Sequence, residues 1–234
     1  MITISPRANV AKTAIIHDGA IIEDNVIIHD YVVIYPGVVV KEGTEIYDHC
    51  VLGKYPTSPG STARPLKNDY KPVIIENHCV LCPGVVVYMG TVIGEHTLLG
   101  DFCSIREDCI VGSYCIISRN VSVNYETTIG HHTKIMDNTH ITGNMKIGNY
   151  VFISVLVATT NDNAMGRDGY SSEDIYGSVI EDYVTIGAAA NILPKVRIGR
   201  NSIIGASALV TKDVAPNSLM MGVPARFVKT VAER

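Results

Sequence analysis

Stepping through the chain six residues at a time meets an aliphatic side chain with almost no interruption. From Val10 the series runs through Ile16, Ile22, Ile28, Ile34, Val40 and Ile46 to Leu52. It resumes from Ile75 to Ile153 and again from Ile180 to Val210, 28 positions in all. Four places after these sites comes a second, smaller residue, as at Ala14, Ala20, Val26, Thr44, Thr97, Thr133, Ala190 and Ser202. A strand alternates every two residues and a helix every 3.6, so neither yields sixes. Three short strands wound around a triangular prism do. The aliphatic residue fills the interior, the smaller one fits near the corner, and three hexads close a turn of 18 residues. The expected fold is therefore an all-β parallel solenoid of about nine coils, roughly 45 Å tall at the spacing of neighbouring strands. Ile and Val together number 57 against 9 Leu and no Trp, a balance suited to pleated surfaces rather than helices.

Charge excludes some functions. The chain carries 19 Lys+Arg against 23 Asp+Glu, net −4, with no basic stretch of the kind that grips nucleic acid. Apolar runs are far too short for a membrane helix. Met1 to Arg7 lacks a basic segment leading into an apolar one, so a cytoplasmic location is expected. Six Cys invite a metal or disulfide reading, and Cys79 to Cys82 spells CxxC. The register argues for free thiols and no metal: Cys50, Cys79, Cys103, Cys109 and Cys115 all take the small inward position, and only Cys82 does not.

All eight His fall outside the inward positions, where a ligand or a neighbouring subunit could meet them. Residues 18 apart stack on successive coils. One such column is His78, His96, Tyr114, His132, Tyr150; a second is Asp101, Arg119, Asp137; a third is Asp108, Glu126, Asn144, Asp162. A regular prism has no pocket, so function is expected at its interruptions. These run from 53 to 72 and from 159 to 178 within a solenoid domain spanning 1–215, followed by a C-terminal tail, 216–234.

The hexads resemble those of the hexapeptide-repeat acyltransferases, whose fold is a left-handed parallel β-helix. The ending Gly205-Ala206-Ser207-Ala208-Leu209-Val210-Thr211-Lys212-Asp213-Val214, followed by Gly222-Val223-Pro224-Ala225-Arg226, resembles that family's closing signature. The resemblance implies acetyl-CoA as co-substrate, bound between the subunits of a homotrimer. The stacked pairs Gly187-Ala188 and Gly205-Ala206 are the side-chain-poor track expected to receive pantetheine, with Lys212, Arg226 and Lys195 meeting its phosphates. Thr160-Asn161-Asp162, with Arg167 beyond, and Asn120-Val121-Ser122-Val123 resemble segments of nucleotide-sugar 3-amino N-acetyltransferases.

These segments imply an acetyl-CoA-dependent N-acetyltransferase acting on a nucleotide-linked amino sugar. Glu126, Asn161 and Asp162 are the candidates for holding the amine. The adjacent His131 and His132 are the candidate base should a proton have to be abstracted. Tyr125 stands where the 4-amino-sugar acetyltransferases of this fold carry their catalytic His. A sugar amine titrates near neutrality, so direct attack on the thioester needs no strong base, whereas a hydroxyl does. Two alternatives stay open: O-acetylation of a sugar or antibiotic, and a catalytically silent scaffold.

Overall fold

The structure, a computed structural model, describes residues 1–61, 65–167 and 175–233. Its core is a parallel β-solenoid. Three sheets of ten, twelve and ten strands form the faces of a prism, and successive strands along the chain move from one face to the next. Strands are mostly two residues long, such as Ile21–Ile22 on face one, Ile27–Ile28 on face two and Val33–Ile34 on face three. No helix occurs among the described residues, and so none is long and apolar enough to cross a membrane.

Register explains the sixes. The second residue of each strand points inward, and Ile22, Ile34, Ile75, Ile105, Ile135 and Ile192 are at most 1% exposed. Pairing is in step with an 18-residue turn, as in Ile110↔Thr128 and Val111↔Ile129. There are ten coils rather than the nine expected. The series has two further members, Ile4 and Thr159, which end the strands Thr3–Ile4 and Ala158–Thr159. Thr159, polar at an aliphatic place, ends a strand and is 1% exposed, so the second excursion begins after it and not at it.

The smaller inward position has a physical job that the repeat alone does not disclose. Thr97 Oγ1 donates to the Gly112 carbonyl at 2.9 Å, Thr133 Oγ1 to Gly148 at 2.8 Å and Ser202 Oγ to Ala215 at 2.9 Å. Cysteine does the same: Cys79 Sγ donates to Gly94 O at 3.2 Å and Cys115 Sγ to Gly130 O at 3.1 Å. Each such side chain reaches a corner carbonyl of the next coil, which would otherwise be buried without a donor. No buried side-chain N or O lacks a partner among the described residues.

Corners turn through a residue at positive φ, near 55–60° at Asn25, His78, Glu126 and Tyr150. Asn, Asp, His and Gly enter this region most readily, which accounts for their abundance at corners. The segment 216–233 folds onto the end of the rod. Ser218–Met221 pairs parallel with Ile203–Ile204 on face two, and Arg226–Thr230 closes that sheet antiparallel.

Candidate functional site

Both excursions leave face three and return to face one. The first connects Val51–Lys54 to Ile74–Ile75, and the second connects Ala158–Thr159 to Val179–Ile180. They therefore spring from the same edge of the prism, five coils and about 24 Å apart. Residues 62–64 and 168–174, within these loops, lie outside the described residues. Between the loops the edge carries two adjacent columns: Glu107, Tyr125, Gly143, Asn161 and Asp108, Glu126, Asn144, Asp162. Strand pairing from Ser104–Ile105 up to Ala158 fixes that stacking.

This edge is charged and crossed by a loop side chain. Lys67 of the first excursion places its ammonium 2.6 Å from Asp108 Oδ2 and 2.9 Å from Glu126 Oε1. Both hydrogen bonds, with Asp108 the larger influence, raise the lysine pKa. Below them Glu107 is fully buried and is held by Arg106, Nε at 2.8 Å and Nη2 at 3.1 Å. Tyr125 packs against Gly143, where a Cβ would sit 2.6 Å from its ring, so that glycine makes room for the tyrosine. Tyr125 Oη accepts a hydrogen bond from Asn161 Nδ2 at 3.5 Å.

Asp162 is engaged within its own loop. Its two carboxylate oxygens accept the backbone N–H groups of Ala164 and Gly166, each at 2.7 Å, an Asx-type turn that shapes the start of the excursion. Glu126, Asn161 and Asp162 are thus together on one edge. His131 and His132 are not with them: they sit on the edge between faces one and two, after Thr128–Ile129. His131 Nδ1 accepts the Ser113 N–H at 3.0 Å. His132 stacks between Tyr114 and Tyr150, ring centroids 5.1 and 4.7 Å away. That column is longer than expected, running from His78 to Tyr183, with the Arg200 guanidinium over the last ring. In the second column Arg119 pairs with Asp137 at 2.8 Å.

The side-chain-poor pairs lie on the third edge, between faces two and three. A Cβ on Gly187 would fall 2.5 Å from the Ala206 nitrogen, and one on Gly205 2.8 Å from Met221. Close coil spacing thus accounts for these glycines, as it does for Gly94, Gly112 and Gly130 on another edge. Ala188 and exposed Ala206 keep the strip bare beside them. Arg226 is exposed on face two near this strip, and its Nη1 donates to the Ala225 carbonyl at 3.2 Å. Lys212 is exposed on the edge of the excursions, at the last coil; Lys195, one coil earlier, places its ammonium 4.3 Å from the ring centre of Tyr176.

Sequence reasoning passed over two groups. Lys67 has no periodic signal, because it reaches the rod from a loop. His140, first residue of His140–Ile141, is half-buried on the outside of face three. Its Nδ1 lies 2.8 Å from Ser122 Oγ one coil away, and burial lowers its pKa.

The sequence family described as bacterial transferase hexapeptide (six repeats) matches residues 19–54, 90–124 and 177–212. Those segments fall on the coils whose strands and corners have just been described. On these coils the chain carries the hexapeptide repeat of that transferase family. A 55-residue stretch is 46% identical to a 2,3,4,5-tetrahydropyridine-2,6-dicarboxylate N-acetyltransferase of Staphylococcus aureus, covering 24% of this chain and 23% of that protein. The match thus spans about a quarter of that relative's length. The solved structure of an Arabidopsis UDP-N-acetylglucosamine acyltransferase superposes with a TM-score of 0.70 at 20% identity, covering 97% of this chain and 74% of that one. That likeness establishes the hexapeptide solenoid as the fold.

Proposed function

We propose that this hexapeptide-repeat chain is an acetyl-CoA-dependent N-acetyltransferase acting on a nucleotide-linked amino sugar. The acceptor lies along the edge between the two excursions. The observation that carries the reading is the ammonium of Lys67 held between Asp108 and Glu126. A primary ammonium already fits this edge with two charge-assisted hydrogen bonds. Glu126 and Asn161 orient the acceptor amine, while Asp162 holds the loop that carries Asn161. The amine attacks the thioester carbonyl as the neutral base, the C–S bond breaks, and the departing thiolate and the proton on nitrogen are resolved through solvent. A sugar amine titrating near 8 is already partly neutral at pH 7, so orientation and proximity supply most of what this reaction needs.

The donor strip and the acceptor edge occupy different corners of one prism. A second copy beside the first brings one chain's Gly187-Ala188 and Gly205-Ala206 strip against another's excursion edge, and a homotrimer closes this arrangement on itself. Residues Lys212, Lys195 and Arg226 would then meet the phosphates of CoA.

A second reading has one observation in its favour. The Ser122–His140 contact gives face three an imidazole that burial keeps neutral, which suits a general base for a hydroxyl acceptor. Under that reading His140, not His131 or His132, activates the nucleophile. The experiment is a turnover screen of acyl-CoAs against paired nucleotide sugars that differ only in bearing an amine or a hydroxyl. Turnover with the amine that survives in His140→Asn supports N-acetylation. Turnover with the hydroxyl alone, abolished in His140→Asn, supports the second reading.

A further inference from the structure

Below the carboxylates that hold Lys67, the same edge carries a second construction of opposite sign. Lys54 ends its strand, pairs with Tyr88 on the next coil, and has its ammonium 5.2 Å from the centre of that ring. Arg106, one coil further, lies 4.9 Å from the same ring. Lys54 comes from the coil before the tyrosine and Arg106 from the coil after it, each cation drawn to its π-electrons. Arg106 is fixed a second time by the fully buried Glu107, which takes its Nε and Nη2.

An arginine clamped by a buried carboxylate and by an aromatic face has little side-chain freedom left to lose on binding. Among the described residues its Nη1 has no protein partner, and its side chain is 34% exposed. Lys54 is exposed and has no carboxylate partner among the described residues. Stacking of Tyr88 alone would need neither the buried carboxylate nor a second cation. The aromatic column on another edge does not offer such a site, because the rings within it cover one another.

We propose that Lys54 and Arg106, braced by Tyr88 and Glu107, form a phosphate-binding subsite. Its ligand is a phosphoryl group: the diphosphate of the nucleotide-linked acceptor or a phosphate of CoA. The position favours the acceptor. Arg106 lies one coil, about 5 Å along the axis, from Glu126. A hexose with its amine at Glu126 would carry the diphosphate on its anomeric carbon into reach of Arg106. The assignment to the acceptor rests on the N-acetyltransferase reading; the phosphate subsite itself does not.

The test is calorimetric titration of the full chain with inorganic pyrophosphate, then with CoA and 3′-dephospho-CoA. Lys54→Ala removes an exposed cation without an ion-pair partner. Arg106→Lys keeps the charge facing Glu107 but loses the planar fork. Pyrophosphate affinity is expected to fall about tenfold in each variant, the loss of one charge-assisted hydrogen bond, with CoA affinity unchanged. A loss seen with CoA and absent with 3′-dephospho-CoA would support the subsite and give it to the donor. Unchanged affinity for both pyrophosphate and CoA in folded variants would overturn it. Failure of acetyl transfer to any amine, with the pyrophosphate effect intact, would sink the amine reading and leave the subsite standing.

Discussion

A cysteine at the small inward position behaves here as a serine does. It packs, and it donates to a carbonyl of the neighbouring coil. The inward placing of five cysteines could be read from the hexad register. Their donor role could not, because it depends on where the corner carbonyl of the next coil points. Burial pushes the thiol of Cys50 up to about 12, Cys109 to about 12, and Cys79 and Cys115 to about 11. Because the folded values lie above the ordinary value of 9.0, the stabilisation is fully present below pH 9 and is lost as pH rises toward 11 or 12. Each such thiol costs about 1.4 kcal/mol per pH unit across that window. Urea titrations at pH 8 and pH 10.5 should therefore show a clear fall in stability at the higher pH, reduced in Cys50→Ser. The native protein should expose one thiol rapidly to a thiol reagent, half-buried Cys82, and all six only on denaturation. At the acceptor edge, Glu126→Gln should lower kcat/KM ten- to a hundredfold, the range for losing a hydrogen bond to a charged group, and leave measurable turnover. Asp162→Asn keeps one of the two oxygen acceptors of the loop turn and replaces the other by an NH2 that cannot accept, so it should loosen the turn yet leave measurable turnover. His131→Asn and His132→Asn, on another edge, should leave chemistry intact.

At the level of elements, the interruptions of the repeat marked both excursions in the sequence to within a few residues. What they did not reveal is that both leave the same edge. That follows from counting which of the three faces each strand occupies, and the count slips wherever a polar residue such as Thr159 takes an aliphatic place. Nor does local sequence announce that Lys67 will bridge the carboxylates of Asp108, 41 residues away, and of Glu126, further still. This ion pair is half exposed, so its contribution to global stability is small, within about 1 kcal/mol. Its loss should instead loosen the loop. Lys67→Met is expected to speed proteolytic cleavage within 55–72 severalfold while the unfolding midpoint of the rod stays nearly unchanged. On the opposite side, Ala206→Trp projects a bulky ring from an exposed position of the donor strip and should abolish CoA binding in a folded protein. Unaltered CoA affinity there would place the donor elsewhere.

The whole molecule is a rod whose interior was legible almost residue by residue, because a closed prism demands the same side chains at the same places on every coil. Its chemistry was less so, since chemistry depends on which edges face one another and on loops that break the period. Glu126, Asn161 and Asp162, the histidine column, and the bare strip of Gly187-Ala188 and Gly205-Ala206 lie on three different edges, which a lone chain cannot bring together. Light scattering should give a trimer, and a stable, fully active monomer would contradict the shared-site arrangement. Whether nitrogen or oxygen receives the acetyl group is decided by the linkage in the product. The chain is incubated with acetyl-CoA and a nucleotide-linked amino sugar, and the acetylated product is treated with mild base. An amide that persists, with the acetyl on the former amine by mass spectrometry, is the expected outcome of N-acetylation. A product that loses its acetyl group in base, as an ester does, would contradict it.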